Sequence, residues 1–146
     1  MTKTYNGFPP EYRDKQGGRV YAAFRKGTLT RPTACIVCNL DTTVGATVHA
    51  HNEDYHQPLN YVGVCYCCHM AIHRRYQEPD TWVTYLDSIA AGWQPPRTSN
   101  YRDFINAFRS TRHHANMEPT ITLNTWVTDL PLIEPDLYTL PTLLDL

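Results

Sequence analysis

Two pairs of cysteines have the spacing of a metal-binding motif. Two residues separate the cysteines within each pair and 26 residues separate the pairs, which are Cys35 with Cys38 and Cys65 with Cys68. A C-x-x-C turn presents two thiolates to one ion, and zinc prefers four such ligands in a tetrahedron. The alternative is a set of unrelated buried thiols. Paired motifs rarely arise from composition, so we predict one structural zinc ion, with Cys67 outside the ligand set.

Histidines form a second candidate site. His69 and His73 are four residues apart on the helix predicted after the second cysteine pair, so both rings lie on one side of it. His49 and His51 are two apart, as on one face of a strand. If zinc draws strand and helix together, His51 can meet His69 and His73 at a second ion. Alternatively, His51 is packed and hydrogen-bonded in place and the helical pair is merely solvated.

Hydrophobic periodicity predicts the elements that must position these side chains. Apolar residues at helical spacing predict four helices, over 19–26, over 68–77, from Asp80 to about Gly92, and from Ser99 or Asn100 onwards. The alternating segment 120–128 predicts a strand. Residues 1–18 are polar and contain prolines and glycines, so we expect a lead-in with little structure.

Charge is distributed unevenly over the 146 residues. All 13 Lys and Arg residues lie within 3–112, and residues 1–117 carry a net charge of +4. Residues 118–146 carry −5 and contain no basic residue. A strongly basic protein of the histone type is excluded by this composition. The sequence also lacks the apolar run of a membrane helix or a signal peptide, so we expect a cytoplasmic protein without a disulfide framework.

The acidic tail is more apolar than a typical disordered acidic segment. It contains Trp126, Tyr138, two isoleucines and eight leucines. We therefore expect it to dock, either along the basic body or on a protein partner by strand addition. On the positive face of the body it would compete with nucleic acid.

Two stretches of sequence resemble a known family. The run RVYAAFRKGTLTRPTACIVC, followed by AHNEDYHQPLNYVGVCYCCHMAIH, is similar to the small zinc-containing HNH endonucleases common in phage genomes. The similarity covers residues 19–73. It implies an α+β fold with a zinc-stabilised ββα-metal core, in which a hairpin and a helix surround a catalytic divalent ion, with flanking helices and an acidic C-terminal extension.

The resemblance also implies residue roles. His51 falls on a metal-ligand position of the family motif, and His69 and His73 fall on the two helical histidines that bind the same ion in colicin-like members. The second ion would be Mg²⁺, Mn²⁺, Ni²⁺ or Zn²⁺. Asn52 occupies the position of the general base. An amide cannot accept a proton near neutral pH, which typically costs about 10²–10⁴ in rate.

Two functions are therefore compatible with the sequence. In the first, the protein is a metal-dependent nuclease with His51 and Asn52 at its catalytic centre, and His49, Glu53 or Asp54 is a substitute base. In the second, it is a degenerate scaffold that binds DNA or a host protein as an inhibitor or regulator. Both functions make nucleic acid, with DNA favoured, the expected partner. The candidate phosphate contacts are Arg19, Arg25, Lys26, Arg74 and Arg75.

These patterns divide the chain into four parts. We predict a lead-in over 1–18, an HNH-like zinc-binding core over 19–78, a C-terminal helical pair over 79–117 and the acidic apolar tail over 118–146. No internal repeat is found.

Overall fold

The computed structural model describes residues 3–44, 47–114 and 116–139. Over those ranges the protein is a mixed α/β chain with five helices and one two-stranded sheet. None of the helices described there has both the length and the apolar character that a membrane span requires. Over the described residues the chain forms two compact units: one contains 3–30, 52–61 and 133–139, and the other contains 31–44, 47–51, 62–114 and 116–132.

The second unit contains a hairpin followed directly by a helix. Strand β1 (Val48–His51) pairs antiparallel with β2 (Val62–Cys65), and Val48 lies opposite Cys65. Helix α2 (Tyr66–Arg74) begins at the residue after β2. It starts two residues before the helix predicted over 68–77, and it ends three residues before the predicted end. The mixture of strands and helices expected from the sequence is confirmed.

Two further helices build the apolar core of this unit. Helix α3 (Pro79–Ala90) begins at a proline, and α4 (Tyr101–Ser110) begins after Asn100. The Asn100 side chain accepts hydrogen bonds from two backbone N–H groups of the first turn, as expected of an N-cap. Both helices lie close to their predicted positions. The core side chains that they bury include Trp82, Tyr85, Ile89, Phe104 and Phe108.

A single carboxylate joins three arginines of this unit. Glu78, at the start of α3, accepts hydrogen bonds from Arg74 Nε at 2.7 Å and from Arg109 Nε and Nη2, both at 3.1 Å. Arg112 Nη2 also donates to it. Burial alone would raise the pKa of the Glu78 carboxyl, but the hydrogen bonds from Arg109 and Arg74 outweigh burial and lower this pKa.

The strand predicted over 120–128 is wrong. The N–H groups of Thr120 and Ile121 both donate to the carbonyl of Ala90, and the short helix α5 (Thr125–Thr128) follows. Asn124 Oδ1 accepts from Trp126 N at 2.8 Å and caps this turn. Of the alternating apolar residues only Val127 is buried, whereas Ile121 is exposed. Alternation supplies no partner strand, and the local Asn cap favours a helical turn.

Helix α1 (Pro10–Lys26) belongs to the first unit and is longer than predicted. Its first nine residues lie in the segment expected to have little structure, so that expectation is wrong there. Pro10 occupies the first helical position, where a missing N–H costs nothing. The helix continues across Gly17 and Gly18, where the buried side chains of Gln16 and Val20 anchor it on either side. It ends, as predicted, at Gly27, whose φ of 78° suits glycine.

Residues 133–139 of the acidic tail contact their own chain within this first unit. Glu134 Oε1 accepts from Asn6 N at 2.8 Å, and Leu137 N donates to Asn6 O at 3.3 Å. The ring of Tyr138 stacks on His56 with centroids 6.1 Å apart. The predicted docking of the tail is thus seen for this segment, whereas a protein partner stays a prediction. Residues 140–146 lie outside the described ranges.

The Glu78 ion pairs predict a specific pH dependence of stability. Because the folded-state pKa of Glu78 is lowered, its contribution is present above the unfolded pKa of about 4.3 and is lost as the pH falls through the folded value. We expect Glu78→Gln to lower Tm by about 2–4 °C at pH 7. The difference from the natural chain should close below about pH 4 in thermal melts.

The control is Asp87→Asn, which changes an exposed carboxylate on the same helix. Its Tm should follow that of the natural chain at every pH. A Glu78→Gln deficit that persists unchanged at pH 3 would show that packing, and not the ion pairs, causes the loss.

Candidate metal centres

The four cysteines of the two C-x-x-C pairs converge. Their Sγ atoms all lie within 4.8 Å of one another, and Cys38 Sγ is 3.7 Å from Cys65 Sγ. All four side chains are buried. Cys65 ends β2 and Cys68 lies in the first turn of α2, so the strand-to-helix junction supplies half of the group.

The other half comes from a tight turn. Cys35 N donates to Leu40 O at 2.8 Å, and Asn39 N donates to Cys35 O at 2.9 Å. Asn39 has a φ of 63°, a left-handed conformation that asparagine tolerates better than most residues. The turn thereby aims both of its thiols to one side.

A close backbone contact holds this turn against β2. Ile36 N donates to Gly63 O at 2.8 Å. A Cβ at position 63 would lie 2.4 Å from Ala34 O, so only glycine permits this approach. No sequence pattern predicts this role of Gly63, because the contact joins residues far apart in the chain.

The electrostatics of the cysteine group are compatible with a bound cation. Hydrogen bonds from the other three thiols lower the pKa of Cys35. The hydrogen bond with Cys35 raises the pKa of Cys65, and burial raises that of Cys68. One thiolate is therefore stabilised by its neighbours, but further ionisation places like charges together in a buried space. Four thiolates around a divalent ion resolve this conflict, and this donor set is compatible with zinc.

Cys67 has a different environment. Its Sγ donates to Pro96 O at 3.2 Å, and burial raises its pKa to about 12. It is not part of the converging group, which agrees with its spacing in the sequence. Tyr85, by contrast, lies next to a candidate ligand, with its hydroxyl 3.2 Å from Cys68 Sγ.

Three histidines converge at a second point. One side-chain nitrogen from each of His51, His69 and His73 lies within 4.8 Å of the others. The Nε2 atoms of His69 and His73 are 3.2 Å apart, and the His51 ring centroid is 5.1 and 5.2 Å from the two other rings. Three imidazoles can hold a divalent ion and leave a coordination position for water or substrate.

The two centres share α2. Cys68 and His69 are consecutive residues, and His51 reaches the helix from the last position of β1. Because β1 is paired with β2, whose last residue is Cys65, the cysteine group fixes the hairpin relative to α2. Closure of the cysteine group thus brings the three histidines together.

The residues at and near the expected general-base position have other partners. Asn52 Nδ2 donates to Pro58 O at 3.0 Å and to Gln57 O at 3.4 Å, so its amide braces its own loop. Glu53 accepts from the hydroxyl of Tyr5 and from Asn6 Nδ2.

His49 lies near the histidine centre. Its ring centroid is 6.0 Å from that of His69, and burial lowers its pKa. It therefore carries a neutral ring near pH 7, which can accept a proton. Asp54 Oδ1 instead accepts from His56 N at 2.9 Å within its loop.

Arg75 was expected to contact phosphate, and this expectation is wrong because the side chain is fully buried. Its Nε donates to Pro131 O at 2.8 Å, its Nη1 donates to Ile72 O at 2.9 Å, and its guanidinium stacks over the Tyr76 ring. Neighbouring helical positions point about 100° apart, so two successive arginines rarely face the same way. The other candidates, which are Arg19, Arg25, Lys26 and half-exposed Arg74, stay predictions.

Sequence patterns missed two features of this unit. Trp126 of α5 lies beside the histidine centre, with its ring centroid 6.3 Å from that of His51. The gathering of Arg74, Arg109 and Arg112 around Glu78 was also not foreseen. Both depend on contacts between distant segments, for which a single sequence carries no spacing signal.

Comparison with known proteins adds no family assignment. A scan against protein-family models, a search of curated proteins and a search of solved structures each found no match to the chain. The resemblance of residues 19–73 to HNH endonucleases therefore stays a prediction. What the chain does must be inferred from its own side chains.

The cysteine geometry predicts which substitutions abolish metal binding. Cys38→Ser removes one of the four converging donors, so we expect zinc affinity to fall by more than about 100-fold, since loss of an outer-shell partner alone costs 10–100-fold. Cys67→Ser is the matched control and should retain the zinc of the natural chain. Competition with a chromophoric chelator measures the zinc affinity of both variants. Equal losses of zinc affinity in the two variants would contradict the assigned ligand set.

Proposed function

We propose that the chain is a zinc-organised protein of the HNH type that acts on phosphodiester bonds of nucleic acid through a second divalent ion. The observation that carries this proposal is the convergence of His51, His69 and His73 on a strand–strand–helix segment beside a buried four-cysteine group. In this proposal the cysteines hold the structural zinc and the histidines hold the reactive ion.

Each side chain has a defined task in the proposed site. His51, His69 and His73 bind the ion through imidazole nitrogens, and the His51 side chain is buried. A divalent ion there would polarise the scissile phosphate and stabilise the leaving oxygen. Trp126 forms a wall next to His51, and His49 is the nearest candidate for accepting a proton from the attacking water.

A second function is favoured by one specific observation. The Asn52 amide, at the position expected for the general base, donates to two carbonyls of its own loop. A side chain committed to bracing a loop, and unable to accept a proton, suits a scaffold that binds DNA or a host protein without cutting. In that case the chain would be an inhibitor or regulator.

Plasmid cleavage distinguishes the two functions. The natural chain, loaded with one equivalent of zinc, would be assayed with Mg²⁺, Mn²⁺, Ni²⁺ or Zn²⁺ beside His73→Ala, Asn52→His and the control His113→Ala. We expect the natural chain and His113→Ala to cut slowly, His73→Ala to lose at least about 100-fold, and Asn52→His to gain about 10²–10⁴.

Each other outcome has a defined meaning. Cutting by Asn52→His alone would support the degenerate scaffold. No cutting by any variant, although a second ion is bound per chain, would contradict a nuclease. Equal cutting by His73→Ala and the natural chain would place any activity outside the histidine centre.

A further inference from the structure

We propose that Arg74, Arg109 and Arg112, gathered around Glu78, form a docking surface for the phosphodiester backbone of DNA. This proposal of an arginine cluster rests on the proposed function only in taking nucleic acid as the partner. It assigns DNA contacts to two residues, Arg109 and Arg112, that the sequence patterns did not single out.

The arginines come from three separate elements. Arg74 ends α2, Arg109 lies in the last turn of α4, and Arg112 follows in the short 3-10 turn Thr111–His113. All three donate to the Glu78 carboxylate, and Arg112 Nε also donates to Thr81 Oγ1 at 2.8 Å. One acidic residue thus fixes three guanidinium groups in one place.

Charge is left over after these ion pairs. Three guanidinium groups face one carboxylate, so the cluster carries a surplus of +2. The contacts to Glu78 occupy Nε and Nη2 of Arg109 and leave its Nη1 outside the ion pair. The Glu78 side chain is only 13% exposed, whereas those of Arg109 and Arg112 are 46% and 51% exposed. The arginine side chains therefore form the solvent-facing side of the cluster.

A role in stability alone does not account for this arrangement. A bidentate arginine fills two of the roughly four acceptor sites of a carboxylate, and additional exposed ion pairs contribute little to folding. Arginine is, however, well suited to phosphate, because its planar fork matches two phosphate oxygens. Fixing the side chains on Glu78 also reduces the conformational entropy that they would lose on binding.

The surroundings favour a polyanion over a small free anion. A groove of about 480 Å³ lies beside the cluster and is lined by Arg112, Glu78, Asp80, Thr81 and Thr84, among others. Its two carboxylates oppose the entry of an isolated phosphate. A DNA backbone instead binds across exposed guanidinium groups and gains from the release of its counterions.

The position on α2 connects the cluster with the histidine centre. Arg74 directly follows His73, so the cluster begins one residue after a proposed metal ligand. A DNA strand carries one charge per about 3.4 Å along its axis. Successive phosphates of one strand can therefore contact more than one guanidinium group of the cluster.

The test is the salt dependence of binding to a 20-base-pair duplex of mixed sequence, labelled with fluorescein and followed by anisotropy. The full chain would carry one equivalent of zinc and no other divalent ion. Arg109→Gln and Arg112→Gln should each weaken binding about five- to tenfold, and the slope of log K against log salt should become shallower by about 0.9 per lost contact.

The matched control is Arg102→Gln, an exposed arginine on the same helix as Arg109 and outside the cluster. It should stay within about twofold of the natural chain with an unchanged slope, while Arg109→Lys should keep the slope. Thermal melts confirm that every variant is folded.

Three results would overturn the proposal: no binding of the duplex by the natural chain, equal losses in Arg102→Gln and Arg109→Gln, or unchanged slopes in the cluster variants. DNA binding with the expected slopes but without plasmid cleavage would support the cluster while contradicting the nuclease. Plasmid cleavage by the natural chain, together with unchanged slopes in the cluster variants, would support the nuclease while contradicting the cluster.

Discussion

Four buried thiols, drawn from two stretches of chain 26 residues apart, meet within 4.8 Å of one another. Burial and mutual repulsion prevent them from all ionising unless a cation joins them. Everything else in the second unit depends on this closure. The turn around Cys35 is held against β2, the last residue of β2 is a ligand, and the next residue starts α2. A small two-stranded sheet with four residues per strand is too short to be stable on its own, so it depends on the cysteine group and on the apolar core beside it.

The same closure positions the histidine centre of the second unit. Since α2 carries Cys68 and His69 side by side, whatever fixes the cysteines also fixes the helical histidines against His51 at the end of β1. The end of α2 then supplies Arg74 to the cluster around Glu78. Two cysteines of the group, two histidines of the histidine centre and Arg74 thus follow one another between Cys65 and Arg74. The net charge of the whole chain is only −1, but positive side chains are gathered locally around Glu78.

The sequence predicted those features that depend on local spacing. The two C-x-x-C pairs and the i, i+4 histidines identified groups that do converge, and Asn100 marked the start of α4 because its cap is a local interaction. Features that depend on distant contacts were missed. The alternating pattern at 120–128 cannot reveal the absence of a partner strand, the Arg74–Arg75 pair does not show which side chain turns inward, and Pro10 followed by two glycines does not predict a 17-residue helix. Those outcomes are decided by burial against the rest of the fold.

We expect one ion, bound by the four cysteine sulfurs, to organise this fold. X-ray absorption at the zinc K edge, measured on the full chain with one equivalent of zinc, can identify the ligand atoms of that ion. We expect a single shell of four sulfur atoms at about 2.3 Å, and nitrogen scatterers only when a second equivalent is added. A first-equivalent shell that contains imidazole nitrogen or oxygen in place of sulfur would contradict it, because the ion would then be bound elsewhere or by an incomplete cysteine group.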